Sequence, residues 1–323
     1  MKKNIKIYHP DGINFFGEKS LLTELAAGFS FAEGSLWHPD GYLLLSDIPA
    51  NCMYEVYPDG TTQVRLQQSG GKDLQYAQLS DMTGSNGLAM DKNRNIIFCQ
   101  QGNHSIAKMD AAKNITQLCS SYNGRPFNSP NDVVVKSDGA VFFTDPPYGL
   151  KDQVLIPSLF QPHAGLYRFY NNQVTLLSKD LNFVNGLCFS KDEKYLFAGS
   201  NHPDEKILYR YTLSSFGEII HKDIFAFINA DGIKMDVHNN LYAATGEGVL
   251  ILSPNGEKLA LIQTPAMATN IALGGCNNSV LFITTPNKVY YVEMEYNPLR
   301  KFNSNALSNN DNNPVSIQMS HAG

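Results

Sequence analysis

Apolar residues come in short runs, each following a tight turn. Tyr42-Leu43-Leu44-Leu45 follows Pro39-Asp40-Gly41, and Ala140-Val141-Phe142-Phe143 follows Ser137-Asp138-Gly139. Tyr195-Leu196-Phe197-Ala198 follows Ser190-Lys191-Asp192-Glu193, and Leu241-Tyr242-Ala243-Ala244 follows His238-Asn239-Asn240. Helical periodicity is almost absent. Short apolar runs bounded by Gly, Asn, Asp and Pro predict an all-β protein.

A second pattern precedes these hairpins. A polar residue, usually followed by Gly, heads a short apolar strand at Glu33-Gly34, Asn86-Gly87, Asn131-Asp132, Asn185-Gly186, Asp231-Gly232 and Asn270-Ile271. The six recur at spacings of about 39 to 54 residues, near the period of roughly 40–50 residues expected of propeller blades with four strands each. Six repeats predict a six-bladed β-propeller. The sixth repeat has strands of its own only near 271–273, 280–284 and 288–293. The apolar segment 21–27 is expected to supply its fourth strand, since an open ring would leave unpaired edges.

In such a ring the strand after each repeat's heading residue lies innermost, so Glu33, Asn86, Asn131, Asn185, Asp231 and Asn270 converge at one mouth of the channel. All six offer a side-chain oxygen. Asn-Gly and Asp-Gly are ordinary turn formers, but turn chemistry explains neither six in register nor Glu33. An oxygen-only ring with two carboxylates suits a hard divalent cation, Ca2+ first, with Mg2+, Zn2+ or Mn2+ as weaker fits.

Composition narrows the partners. The chain has 323 residues, 43% of them hydrophobic, and a formal net charge of −5. No basic stripe offers to neutralise phosphates, so nucleic acid is not expected. No run of about 18 apolar residues marks a membrane span. The lysines near the start are followed by no apolar signal region, which points to the cytoplasm. Five scattered cysteines (Cys52, Cys99, Cys119, Cys188, Cys276) form no Cys-x-x-Cys pair and read as buried free thiols. Residues 1–300 are expected to form one catalytic domain, and the Asn/Ser-rich stretch 301–323 a disordered tail. The oligomeric state is left open.

The residues resemble the gluconolactonase and regucalcin-like lactonases, the senescence-marker-protein family, from about residue 25 to 295. The likeness is most specific in Phe127-Asn128-Ser129-Pro130-Asn131-Asp132-Val133-Val134-Val135-Lys136-Ser137-Asp138-Gly139 and in Phe143-Thr144-Asp145-Pro146-Pro147-Tyr148-Gly149. Ser46-Asp47-Ile48-Pro49-Ala50-Asn51 and Asp231-Gly232 also fit. The resemblance implies metal-dependent hydrolysis of a small sugar-type lactone, the cation polarising the carbonyl. It implies Glu33, Asn185 and Asp231 as direct metal ligands and Asp231 as acid/base. Asn131 would be a fourth ligand, or would reach the metal through water and substrate. Asn86 and Asn270 would support the ligands or touch substrate.

One stretch departs from the family. After the second blade's hairpin the chain reads Gln100-Gln101-Gly102-Asn103-His104, where the family has Glu-His-Gly-Asn-Arg. If Gln101 and His104 touch substrate, the preferred lactone differs from gluconolactone. Further contacts are expected from the loops after each second strand, at 47–51, 100–104, 145–163, 201–204, 246–248 and 286–287. The long third loop is read either as a lid or as a packed insertion. Arg125 is a candidate for a substrate carboxylate or hydroxyls. His38, His221 and His238 read as surface residues, and Trp37 as core. Two other functions compete: a phosphotriesterase on the same scaffold, whose pocket would be more apolar, and a non-catalytic binding propeller. No Gly-x-Ser-x-Gly elbow suggests a serine nucleophile.

Overall fold

The computed structural model describes residues 4–72 and 76–295. It is all-β, with four short 3-10 segments as its helical turns among the described residues. Six antiparallel sheets stand around a channel. In chain order their innermost strands are Ala32–His38, Ser85–Met90, Val133–Val135, Val184–Phe189, Ile233–Met235 and Asn270–Gly274, heading blades 1 to 6. Each inner strand touches the next, and the sixth touches the first. The chain is a six-bladed β-propeller.

The apolar runs build the core because each sheet is covered on both faces. Strand side chains alternate sides. Leu43 and Leu45 therefore pack toward blade 6 with Phe282 and Val289, while Leu44 packs toward blade 2 with Leu88 and Phe98. Phe142 faces blade 4 and its neighbour Phe143 faces blade 2. The core is thus six apolar clusters, one in each gap between adjacent blades. This is why the second strands read as unbroken hydrophobic runs. Trp37 belongs to this packing and stacks on Phe282 at 5.0 Å.

The N-terminal segment contributes to two blades. Ile5–Ile7 lies antiparallel to Lys258–Gln263 as a fifth, outermost strand of blade 5. A 3-10 turn, Pro10–Phe15, then drops Phe15 and Phe16 into the gap between blades 5 and 6. Thr23–Ala27 pairs antiparallel with Lys288–Glu293 in the sheet of blade 6.

Two expectations need correction. His38 is 7% exposed and stacks on Tyr42 at 4.5 Å. It ends an inner strand in the gap between blades rather than at the surface. All five cysteines are free, but only Cys99 and Cys188 are buried; Cys52 and Cys119 are half-buried, and Cys276 is exposed in a turn between two strands of blade 6. The tail 301–323 and the domain limit at 300 lie outside the described residues. No described helix is long and apolar enough to cross a membrane.

Candidate active site

The ring residues are turned inward by a local irregularity of the inner strands. In blades 1, 2 and 4 the ladder to the second strand slips between Glu33 and Leu36, Ser85 and Leu88, and Val184 and Leu187. One extra residue on the inner strand forms a bulge, which bends the strand and re-aims its side chains. Glu33, Asn86 and Asn185 sit in these bulges. The glycines that follow let the next blade approach. A Cβ on Gly34, whose φ is +58°, would lie 2.0 Å from the Asn86 carbonyl oxygen, and one on Gly186 would lie 2.1 Å from that of Asp231. Hydroxyls on the second strands hold the ring from behind. Ser46 donates to the Asn86 carbonyl at 2.7 Å and Thr144 to the Asn185 carbonyl at 2.9 Å.

All six ring residues are buried. Five of them, Glu33, Asn86, Asn131, Asn185 and Asp231, line one cavity of about 210 Å3. Asn270 does not line it. Its Nδ2 donates to Glu33 Oε2 at 2.8 Å, and its Oδ1 accepts from Ser35 Oγ and the Ile271 N–H. It therefore orients Glu33, whose Oε2 also accepts the Gly34 N–H at 2.7 Å.

Burial raises the Glu33 carboxyl well above the usual range, and the charge of Asp231 adds to this. Burial likewise raises Asp231, against hydrogen bonds from Asn201, Asn185 and Glu33 itself. The buried Asp132 adds negative charge toward both. Asp132 is a brace rather than a wall of the cavity: its oxygens accept the Val133 N–H at 2.9 Å and the Leu187 N–H at 2.8 Å, tying blade 3 to blade 4. No lysine or arginine lines the cavity.

Two further residues come from loops expected at the mouth, 145–163 and 201–204, though neither was singled out from sequence. Asn201 donates from Nδ2 to Asp231 Oδ2 at 2.8 Å. Its Oδ1 faces the Tyr148 hydroxyl, which also reaches the Phe183 carbonyl at 3.1 Å. Both line the cavity, as do His202, stacked on Phe183 at 4.1 Å, and Gln101. Gln101 is 1% exposed, and both atoms of its amide are buried without a hydrogen-bond partner. Phe31, Ile48, Met82, Pro203 and Met267 give the mouth an apolar side.

His104 and Arg125 are placed elsewhere. His104 is buried behind the wall, its Nδ1 2.5 Å from the Asn128 carbonyl oxygen and its ring stacked on Phe160 at 4.6 Å. Arg125 is exposed on a two-stranded ribbon, and its guanidinium donates to the Pro157 carbonyl at 2.5 Å. Its position just before the third inner strand suggested the mouth, but the ribbon carries it outward. Asp47 and Asp145 do not project to substrate either. Each accepts two backbone N–H groups of its own blade, Ser30 and Phe31 for Asp47, Asn128 and Ser129 for Asp145. The long third loop is pinned by Tyr148, by Ser129 Oγ on the Pro146 carbonyl at 2.7 Å, and by the fully buried Leu150 and Phe160. Its exposed residues lie in 151–159 and at Pro162.

The donor set fits a hard cation. Two carboxylates and three amides converge with no basic side chain to balance them, and buried like charges demand a counter-charge. Among the described residues no group of three or more His, Cys, Asp or Glu side chains forms a metal cluster, so the amide oxygens are needed to complete any coordination shell.

Comparison with known proteins bears on the chemistry. A model of the SMP-30/gluconolactonase/LRE-like region matches residues 31–287. A gluconolactonase of Zymomonas mobilis is 30% identical over 83% of this chain and 80% of its own. A lactonohydrolase of Aspergillus oryzae is 29% identical over 51% of this chain and 44% of its own. Among solved structures, a gluconolactonase from Xanthomonas campestris superposes with a TM-score of 0.78 at 26% identity, covering 90% of this chain and 95% of that one.

Proposed function

The chain belongs to the SMP-30/gluconolactonase/LRE-like family, and on that premise we propose that it is a lactonase, a carboxylic ester hydrolase converting a small lactone to its hydroxy acid. The observation that carries the reading is the set of two buried carboxylates and three Asn side chains around one small cavity. A scaffold that only bound a partner would gain nothing from burying carboxylates face to face.

Glu33, Asn131, Asn185 and Asp231 would hold a divalent cation, with Ca2+ favoured by the oxygen-only donors. When bound, such an ion supplies Lewis-acid polarisation of a carbonyl. The rest is the work of the side chains. Asp231 accepts the proton of the attacking water and returns it to the ring oxygen as the acyl–oxygen bond breaks. Asn201 holds one Asp231 oxygen and so fixes the orientation of the carboxyl. Asn270 holds Glu33 in place. Asn86, Asn131 and Gln101 remain for substrate polar groups. The apolar side of the mouth is the one feature that favours phosphotriesters instead, and paraoxon belongs in the same assay.

Hydrolysis of D-glucono-1,5-lactone, followed by pH indicator with the spontaneous rate subtracted, tests the reading. Activity lost on chelation and restored by Ca2+ is the expected result. Inactivity toward every lactone with every divalent ion, or faster turnover of paraoxon, would overturn it.

A further inference from the structure

The mouth of the cavity is two-sided. Phe31, Ile48, Met82 and Met267 lie on loops beside the inner strands of blades 6, 1 and 2, which are consecutive around the ring, and they form one apolar arc. Met267 keeps 38% of its surface exposed, while Phe31 and Met82 are half-buried. They are therefore available to a ligand. The opposite arc, from blades 3 and 4, is polar; it includes the exposed Gln153, while its other polar groups are largely engaged. The Tyr148 hydroxyl is engaged by Phe183 and Asn201. Asn201 is engaged by Asp231, and His202 Nδ1 accepts the Asp204 N–H at 3.3 Å. Among the side chains that line the cavity, the Gln101 amide is buried with neither of its atoms hydrogen-bonded.

A sugar lactone would bring several hydroxyls to this place. Hydroxyls buried without partners are costly, and an apolar arc supplies none. An anionic substituent beyond reach of the cation would find no lysine or arginine in the lining to hold it. At about 210 Å3 the cavity is also smaller than the roughly 300–1,000 Å3 of drug-sized sites. Resting on the lactonase reading, we infer that the substrate is a small, uncharged, amphipathic lactone. Its carbonyl lies over the Glu33–Asp231 ring, an alkyl or aryl substituent packs on Phe31, Met82 and Met267, and its few hydrogen-bonding groups meet Gln101 and the amides of the ring.

Lactams are isosteric with lactones and are not hydrolysed, so their binding reads the pocket without the reaction. Calorimetry on the Ca2+-supplemented full chain would compare 6-pentyl-2-piperidone with D-glucono-1,5-lactam. The alkyl lactam is expected to bind at least tenfold more tightly. Met267→Asn, at a half-open position, should narrow that ratio several-fold, and Gln101→Ala should weaken the alkyl lactam. Equal or tighter binding of the gluconolactam, or binding of neither, overturns the inference. Turnover of δ-decalactone and D-glucono-1,5-lactone, measured in parallel, separates the two readings. An alkyl preference in binding without turnover of any lactone sinks the lactonase and leaves the pocket assignment standing. Preferred turnover of gluconolactone does the reverse.

Discussion

Asp231 has two carboxylate oxygens, and the protein treats them differently. Oδ2 is held by Asn201, whose amide is in turn oriented by the Tyr148 hydroxyl. Groups that orient a ligand commonly matter as much as the ligand, with losses of about 10–100-fold on removal. Asn201→Ala is expected to lower Ca2+ affinity and kcat within that range, with KM less affected. Calcium titration and steady-state kinetics check this, and unchanged affinity would place Asn201 outside the site. Sequence could not reveal the pair, because Asn201 lies on the loop after one blade's second strand and Asp231 on the next blade. Glu33 was legible, since no turn preference explains a glutamate there. His104 was legible as a departure but not in its role. Burial lowers its pKa below the usual histidine range, and burial does the same to His38. The unfolded chain therefore takes up protons first at these two sites, so their contribution to stability is fully present above about pH 6.5 and is lost as pH falls below it. The buried carboxyls of Asp231 and Asp145, raised to about 7 and about 8, act in the opposite sense, so the histidine contribution is read as a difference between variants. The melting-temperature gap between wild type and His104→Gln should narrow from pH 7 to pH 5, and parallel curves would contradict this.

The inner strands do two jobs at the scale of the element. They line the channel, and with their entry residues, through bulges in blades 1, 2 and 4, they present oxygen-bearing side chains to its mouth from five of the six blades. The residue after the ring position sets the distance to the next blade, which is why Gly follows at 34, 87, 186 and 232. At blade 3 that residue is Asp132, which reaches across to the Leu187 N–H instead. Gly186→Ala would place a methyl against the Asp231 carbonyl, and overpacking of this kind costs about 1–3 kcal/mol. Thermal unfolding should show that loss, with calcium affinity falling at the same time as Asp231 moves. A variant destabilised without any loss of affinity would mean the ring tolerates the shift. Strand positions and turns were readable from residue pattern, because pleat alternation and Asp-Gly or Asn-Gly turns are local. The fifth strand of blade 5 was not, since Ile5-Lys6-Ile7 alternates over only three residues and is stabilised by pairing with residues far along the chain.

At the scale of the whole molecule the ring of blades brings negative charge into a buried place. A bound cation relieves it, so ligand and fold should be linked. Saturating Ca2+ at 100 times its Kd would add about 2.7 kcal/mol, seen as a rise in melting temperature that chelator reverses. Because Glu33 and Asp231 are both raised, protons compete for the same oxygens, and the rise should shrink as pH falls. A shift independent of pH would show that the ion binds elsewhere. The apolar gaps between blades answer a different question, that of stability. They leave the channel mouth free to carry polar groups that a single closed core would not accept.

Sequence alone determined the architecture and the floor of the site. Blade number follows from a repeat, strand position from alternation, and the six ring residues from their common register within each repeat, all of which are properties of neighbours along the chain. Tertiary structure alone decided the walls. Which ring residue faces the cavity and which, like Asn270, holds another depends on packing between blades. So do the removal of Arg125 and His104 from the mouth, the recruitment of Asn201 and Tyr148, and the apolar arc gathered from blades 6, 1 and 2. These are contacts between residues far apart in the chain, whose distances are set by the closing of the ring and by no local preference.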